Sequence, residues 1–141
     1  MKENLTYKKA FVFAKEIVNL YKYLVEENKE YIISKQVLRS ETSIGANVKE
    51  GLEAQSRRDF LNKMNIALKE ASETEYWLEL LIATKYIDAN ASEKLIVECK
   101  ELNKILNSTV KTTKKNLKII EDWQLTQPNG LGQSRLLLKN N

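Results

Sequence analysis

The residues best suited to chemistry in this sequence are lysines near the end of its last apolar-periodic segment. The stretch KTTKKNLK, residues 111–118, carries lysines at relative positions 0, 3, 4 and 7 and no acidic residue. On an α-helix this spacing places the side chains on one face, and clustered cations on one face suit phosphate groups. The candidate nucleic-acid-binding residues are therefore Lys111, Lys114, Lys115 and Lys118, with Arg57, Arg58 and Lys63 as a second basic group.

A solvated charged surface is the alternative explanation for these cations. Acidic residues are interleaved with basic ones in the middle of the chain, and the net charge of +4 permits an anionic partner without requiring one. Zinc-finger spacing, an aromatic RNA-binding signature and a glycine-rich clamp are all absent from the sequence. The sequence leaves open whether the lysines bind nucleic acid or only solubilise the protein.

Catalytic and metal chemistry find little support in the composition. The chain has no histidine, which is the commonest general base and metal ligand, and its single cysteine is Cys99. Glu70, Glu73 and Glu75 could suggest a di-metal bundle, but such sites use Glu-x-x-His pairs. We expect structural ion pairs instead, with Arg39 and Glu73 as partners, and we expect no catalytic residue, no metal site and no cofactor.

Four segments with the three-to-four-residue apolar spacing of amphipathic helices make up most of the chain. SRRDF at 56–60 predicts that Ser56 caps the third helix, which we expect to end near Tyr86. Asp88 or Asn90 is expected to cap the fourth helix. Short connections predict an all-α, antiparallel up-down four-helix bundle over residues 1–121, followed by a mobile C-terminal tail over 122–141.

Small residues at four-residue spacing predict a close approach between the second and third helices. Glycine costs a helix about 1 kcal/mol relative to alanine, so its use in TSIGANVKEG, residues 42–51, needs a reason. We expect missing side chains there to let two backbones pack closely, although Gly45 could also mark a hinge or kink. The predicted packing residues are Ser43, Gly45, Asn47 and Gly51 on the second helix, with Ala67 and Ala71 on the third.

Tyr76 and Trp77 are adjacent, so on one helix they cannot both face a narrow core stripe. Trp77 is expected either to point towards a second subunit, since aromatic residues are common at interface centres, or to belong to a wide core face. Tyr76 and Trp77 are therefore the candidate residues for an oligomer interface.

Three stretches together resemble a known family: SIGAN at 43–47, DF at 59–60 and KEASETEYWLELL at 69–81. Over about residues 7–120 the chain resembles four-helix bundle proteins related to the intervening-sequence proteins of bacterial large-subunit ribosomal RNA genes. The resemblance implies a bundle that assembles into a ring, typically a homopentamer, and it does not imply an enzyme. A more distant resemblance is to accessory proteins of diversity-generating retroelements, which bind nucleic acid and a reverse transcriptase.

These observations predict a non-enzymatic oligomer that contacts RNA or DNA through basic surface. The alternative is a protein-interaction adaptor without nucleic-acid binding, with a reverse transcriptase as one kind of protein partner. The lone cysteine fits a reducing cytoplasm. The sequence contains no run of about 18 apolar residues, so we expect no membrane span.

Overall fold

The computed structural model describes residues 4–128, which form four helices and no strand. The helices are α1 Leu5–Glu26, α2 Ile33–Leu52, α3 Arg57–Ala83 and α4 Ala89–Leu125. Each helix packs against the next along the chain, and α1 also contacts α4, which closes the bundle. The predicted all-α four-helix bundle is thus confirmed.

Side-chain caps begin three of the helices. The Ser56 hydroxyl accepts a hydrogen bond from the Asp59 amide at 3.0 Å, as the sequence predicted. Asp88, rather than Asn90, caps α4 by accepting from the Ala91 amide at 3.0 Å. Asn4 caps α1 in the same way, with its side-chain oxygen 2.9 Å from the Tyr7 amide nitrogen. Each cap satisfies a backbone donor that the first turn leaves without an intrahelical partner.

Two helix ends differ from the sequence-based expectation. The third helix ends at Ala83, three residues before Tyr86, because Lys85 adopts a left-handed φ of 66°. The Tyr86 amide then bonds back to the Leu81 carbonyl at 2.9 Å, a helix-terminating turn that more often uses glycine. The fourth helix continues to Leu125, past the predicted boundary at residue 121. The rest of the predicted tail, beyond residue 128, lies outside the described residues.

The α2–α3 interface is close because its facing side chains are small. A Cβ atom added at Gly51 would lie 3.2 Å from Lys63 Cβ and 2.6 Å from Cε of the flexible Met64 side chain, so a larger residue there would crowd the facing helix. Ala67 and Ala71 are fully buried on α3. Further along the same interface the Ser40 and Thr74 hydroxyls are 2.8 Å apart.

The rest of the predicted small-residue row has different surroundings. Asn47 donates to the Ser43 carbonyl at 2.8 Å and to the Ser43 hydroxyl at 3.1 Å, so these two side chains bind each other within α2. A Cβ atom at Gly45 would meet no atom within 4 Å. The prediction that Gly45 permits close helix packing within the bundle is therefore wrong. Gly51 faces α3. Gly45 lies six residues earlier, so it is rotated by about 120° around the helix from Gly51 and points away from α3.

Candidate nucleic-acid interface

The fourth helix presents lysines along one continuous side. Its inner face consists of buried residues such as Leu102, Leu106 and Val110, which join the core. At 100° per residue, six exposed lysines fall within an arc of about 100° on the outer surface. We call this set the lysine face: Lys100, Lys104, Lys111, Lys114, Lys115 and Lys118.

The lysine face carries uncompensated charge. Between Leu102 and Ile120 the sequence contains five lysines and no acidic residue. None of the six side chains forms an ion pair with any acid among residues 4–128. The nearest acid along the chain before this stretch, Glu101, points to α1, where Lys9 Nζ lies 3.2 Å from its carboxylate. The charges are therefore available to an anion in solution.

The second predicted basic group is differently placed. Arg58 forms an ion pair with Glu121 of α4, and Lys63 Nζ lies 3.4 Å from a Glu50 carboxylate oxygen. Arg57 stacks over the Phe60 ring, with its guanidinium carbon 5.5 Å from the ring centroid. Two of the three cations are thus compensated by acids, whereas the lysines of the lysine face form no ion pair within residues 4–128.

The Arg58–Glu121 ion pair also fixes where the two basic groups lie relative to each other. It joins the first turn of α3 to the last turns of α4, so Arg57 and Arg58 lie at the same end of the bundle as Lys118. The structure therefore brings Arg57 and Arg58 to the end of the bundle where Lys118 lies, although about sixty positions separate them from that lysine in the sequence.

A shallow groove between α3 and α4 borders the lysine face. It has a volume of about 400 Å³ and is lined by Leu68, Ser72, Asn103, Lys104 and Asn107. The Ser72 hydroxyl donates to the Asn103 side-chain oxygen at 3.2 Å, and the Asn103 amide nitrogen lies 3.3 Å from a Glu75 oxygen. Sequence reasoning did not identify Ser72, Asn103 or Asn107, because the groove exists only where two helices meet. It adds neutral hydrogen-bonding groups beside the cations.

The acidic residues of α3 hold the bundle together. Arg39 of α2 pairs with Glu73, as predicted, and with Glu70 at 3.3 Å. The Trp77 indole nitrogen donates to the same Glu73 carboxylate at 3.0 Å. Two of the three carboxylates considered as metal ligands are therefore occupied by a cation. No group of histidine, cysteine or acidic residues within residues 4–128 is arranged to hold a metal ion.

The aromatic pair on α3 divides between core and surface. Trp77 is half-buried and packs against the hydrophobic core, whereas Tyr76 is 56% exposed. Their rings meet edge to face with centroids 5.0 Å apart. This position fits the wide-core alternative for Trp77, and participation of the pair in an oligomer interface stays a prediction.

Cys99 is the only thiol in the chain, and its surroundings oppose reactivity. It is fully buried, with its sulfur 3.5 Å from the Ala71 carbonyl oxygen. Burial, with smaller contributions from the charges of Glu75, Glu41 and Glu79, raises the pKa of the thiol to about 12. The thiol therefore stays protonated, and the thiolate needed for nucleophilic attack does not form near neutral pH.

No helix within residues 4–128 combines the length and apolar character needed to cross a lipid bilayer.

Comparison with known proteins identifies a family and similar solved structures. The model of the 23S rRNA-intervening sequence protein family matches residues 2–108. A protein of unknown function from the S23 ribosomal protein family of Bacteroides thetaiotaomicron, with a crystal structure at 1.70 Å resolution, is 58% identical to this chain. The similarity covers 76% of this chain and 99% of that one, with a TM-score of 0.74. No curated protein matches the chain significantly. Four of the six lysines, Lys111 to Lys118, lie beyond the residues that the family model matches.

Proposed function

This chain belongs to the 23S rRNA-intervening sequence protein family, and on that premise we propose that it is a non-enzymatic, oligomeric bundle that binds nucleic acid. The lysine face of α4 is the binding surface. Arg57 lies at the same end of the bundle as Lys118 and adds a further cation there. The family name refers to 23S rRNA, so RNA is the first ligand to test and DNA the second. A cytoplasmic location is part of the proposal.

The unpaired charge of the lysine face is the observation that carries this function. Elsewhere on the bundle some cations, such as Arg39 and Lys94, are held by acids of neighbouring helices, and others, such as Lys22, are unpaired within the described part of the chain. The distinguishing feature of the lysine face is therefore the clustering of six unpaired lysines on one side of one helix. From Leu102 to Ile120 this side of α4 carries no acid, and the acids on the same side, Glu93 and Asp122, lie beyond the ends of the lysine face. Phosphate binding gains from this clustering, because each cation that contacts a phosphate releases counterions from the nucleic acid.

Ring assembly would strengthen this binding. The resemblance to pentameric bundles leads us to propose a homo-oligomer, with a pentamer favoured. Each added subunit contributes another lysine face, so a long nucleic acid can contact several faces at once and gain affinity through multivalency. Light scattering measures the mass of the assembly directly and excludes the ring if the protein is a monomer at working concentration.

A protein-interaction adaptor is the second candidate, and the apolar end of α4 favours it. Ile119, Ile120 and Trp123 are exposed and share a side of the helix that the lysine face does not occupy. Exposed apolar groups of this kind often mark protein contacts. A reverse transcriptase is one kind of partner that the distant resemblance brings into consideration.

A salt titration separates the two functions. Fluorescence anisotropy with labelled RNA and DNA, repeated over a series of salt concentrations, should show binding that weakens steeply as salt rises. An adaptor would show no binding even at the lowest salt. That result would exclude nucleic-acid binding and leave the adaptor in place.

A further inference from the structure

We infer that the nucleic acid bound by the lysine face is double-stranded and is contacted through its phosphates without base recognition. This inference rests on the proposed function and specifies its ligand. It follows from what accompanies the lysines on the surface of the bundle and from how they are spaced along α4.

The lysine face lacks the aromatic side chains that single strands require. Proteins that bind single strands combine positive charge with aromatic rings on which the unpaired bases stack. Between Ala89 and Asp122 the fourth helix contains no aromatic residue. Its one aromatic side chain, Trp123, lies about 80° or more around the helix from every lysine of the face. On α4 itself, unpaired bases would therefore find no stacking surface beside the cations.

Two of the three aromatic residues of α3, Phe60 and Trp77, are also unsuited to stacking at this surface. Phe60 is half-buried and lies beneath the Arg57 guanidinium. Trp77 is bonded to Glu73, which pairs with Arg39, so its indole is directed to the α2–α3 side of the bundle. The α3–α4 groove itself is lined by one leucine and by polar or basic side chains. Phe60 and Trp77 therefore offer no ring to a base bound at the lysine face. Tyr76, which is 56% exposed, already packs edge to face against Trp77.

The spacing of the lysines suits a rigid ligand. From Lys100 to Lys118 the face extends along about 27 Å of helix, because each residue adds 1.5 Å. That length corresponds to about eight base-pair steps of B-form DNA. A duplex holds its phosphates in fixed rows at high charge density, whereas a flexible single strand loses conformational entropy when it is straightened along the face. Charge alone therefore favours the duplex.

The side chains of the face predict binding that is independent of sequence. Lysine contacts phosphate as a point charge, and phosphate contacts carry no direct information about the bases. The neutral groups at the groove, Asn103 and Ser72, are already bonded to each other. Asn107 at the edge of the groove is exposed, and one amide beside six ammonium groups leaves charge as the main source of affinity.

The test compares duplex and single strand at the same salt concentration. The probes are fluorescent RNA and DNA duplexes of about 20 base pairs, longer than the lysine face, with oligouridine and oligothymidine of the same length. We expect the full-length protein to bind the duplexes at least about tenfold more tightly than the single strands. Two duplexes of unrelated sequence should bind with affinities within about twofold of each other.

Variants locate the binding and exclude stacking. Lys114→Gln with Lys118→Gln should weaken duplex binding and reduce its salt slope. Lys22→Gln with Lys35→Gln removes the same charge from exposed positions on α1 and α2. This control should leave the duplex affinity and its salt slope nearly unchanged. Trp123→Ala should not alter duplex affinity, because the indole lies outside the lysine face.

Tighter binding of single strands, or loss of affinity in Trp123→Ala, would overturn this inference and leave nucleic-acid binding itself intact. Absence of binding to every probe at low salt would overturn the proposed function as well. A preference among duplexes of different sequence that exceeds tenfold would show base recognition and would also contradict the inference.

Discussion

The guanidinium of Arg58, at the start of α3, forms an ion pair with the carboxylate of Glu121, near the end of α4. Although 63 positions separate the two residues, this contact aligns the ends of the two helices. It also lowers the positive charge of the α3 terminus and leaves the lysine face as the larger unpaired group of cations.

Removing this acid should strengthen nucleic-acid binding. Glu121→Gln frees Arg58 and deletes a negative charge beside Lys118, so we expect severalfold tighter binding to duplex DNA at low salt. Stability should change by less than about 1 kcal/mol, because both side chains are partly exposed. Glu27→Gln, at an exposed position after α1 at the opposite end of the bundle, is the matched control for net charge. Equal effects of the two variants would show that only the total charge matters.

Neutralising the four C-terminal lysines of the lysine face should abolish most binding without unfolding the protein. Replacing Lys111, Lys114, Lys115 and Lys118 together by glutamine removes four exposed charges. Affinity should fall for all sequences, and the slope of log affinity against log salt should shrink by about 0.9 for each lost phosphate contact. Circular dichroism during heating checks folding. Parental affinity with the parental slope would assign binding elsewhere, first to Arg57, Arg58 and Lys63.

The two helical glycines should respond oppositely to substitution. At Gly45 a Cβ meets no atom within 4 Å, so Gly45→Ala should stabilise the protein by about 0.5–1 kcal/mol through helix propensity. At Gly51 the Met64 and Lys63 side chains occupy the space, so Gly51→Leu should destabilise it by about 1–3 kcal/mol. Urea denaturation measures both. If Gly45→Leu keeps the fold and lowers the assembly mass, Gly45 lies in a subunit interface.

A buried glutamate should make stability fall as pH rises. Glu41 is fully buried, and neither of its carboxylate oxygens has a hydrogen-bond partner among residues 4–128. Burial raises the pKa of its carboxyl from 4.5 to about 8. The folded state therefore retains a proton that the unfolded state releases, so stability should decrease from about pH 4.5 to pH 8, by at most about 1.4 kcal/mol per pH unit.

The variant Glu41→Met isolates this effect. Methionine keeps a similar length, removes the ionisable group and suits an apolar site. Denaturation of the variant from about pH 5 to pH 8 should show a weaker pH dependence and higher stability at the alkaline end. An unchanged slope relative to the parent would show that Glu41 ionises freely in the folded protein.

A second pH-dependent contact lies at the α1–α4 interface. Lys94 Nζ lies 2.9 Å from one Glu16 oxygen and 3.7 Å from one Glu98 oxygen. Burial, together with the neighbouring Glu16 carboxylate, raises the pKa of Glu98 to about 7. The stability that protonated Glu98 contributes to the folded state should therefore be lost as the pH rises from 4.5 to about 7.

Glu98→Gln tests this contact, because glutamine remains neutral at every pH. The melting temperature of the variant should exceed that of the parent at about pH 8 and approach it at about pH 5. A lower melting temperature at both values would indicate that the Glu98 charge stabilises the interface through Lys94.

The local features of the fold could be predicted because neighbouring residues produce them. Ser56 and Asp88 cap helices through hydrogen bonds that span three positions, and apolar spacing alone identified four helices. The Arg39–Glu73 pair also followed from the sequence, since a short turn fixes the register of the α2–α3 hairpin. The end of α3 could not be predicted from the sequence, because the residue that adopts the left-handed conformation there is Lys85, and glycine or asparagine is usual at such a position.

The candidate site depended more on tertiary structure. Sequence alone determined that the four lysines from Lys111 to Lys118 share one side of a helix, because that follows from 3.6 residues per turn. Only the packed bundle decided which cations find acids, since Arg58 and Lys63 are paired by Glu121 and Glu50 of other helices. Packing also decided that Gly51 faces α3 while Gly45 does not. These outcomes depend on how each helix is rotated about its axis, and that rotation is set by burial of the whole core rather than by any one segment.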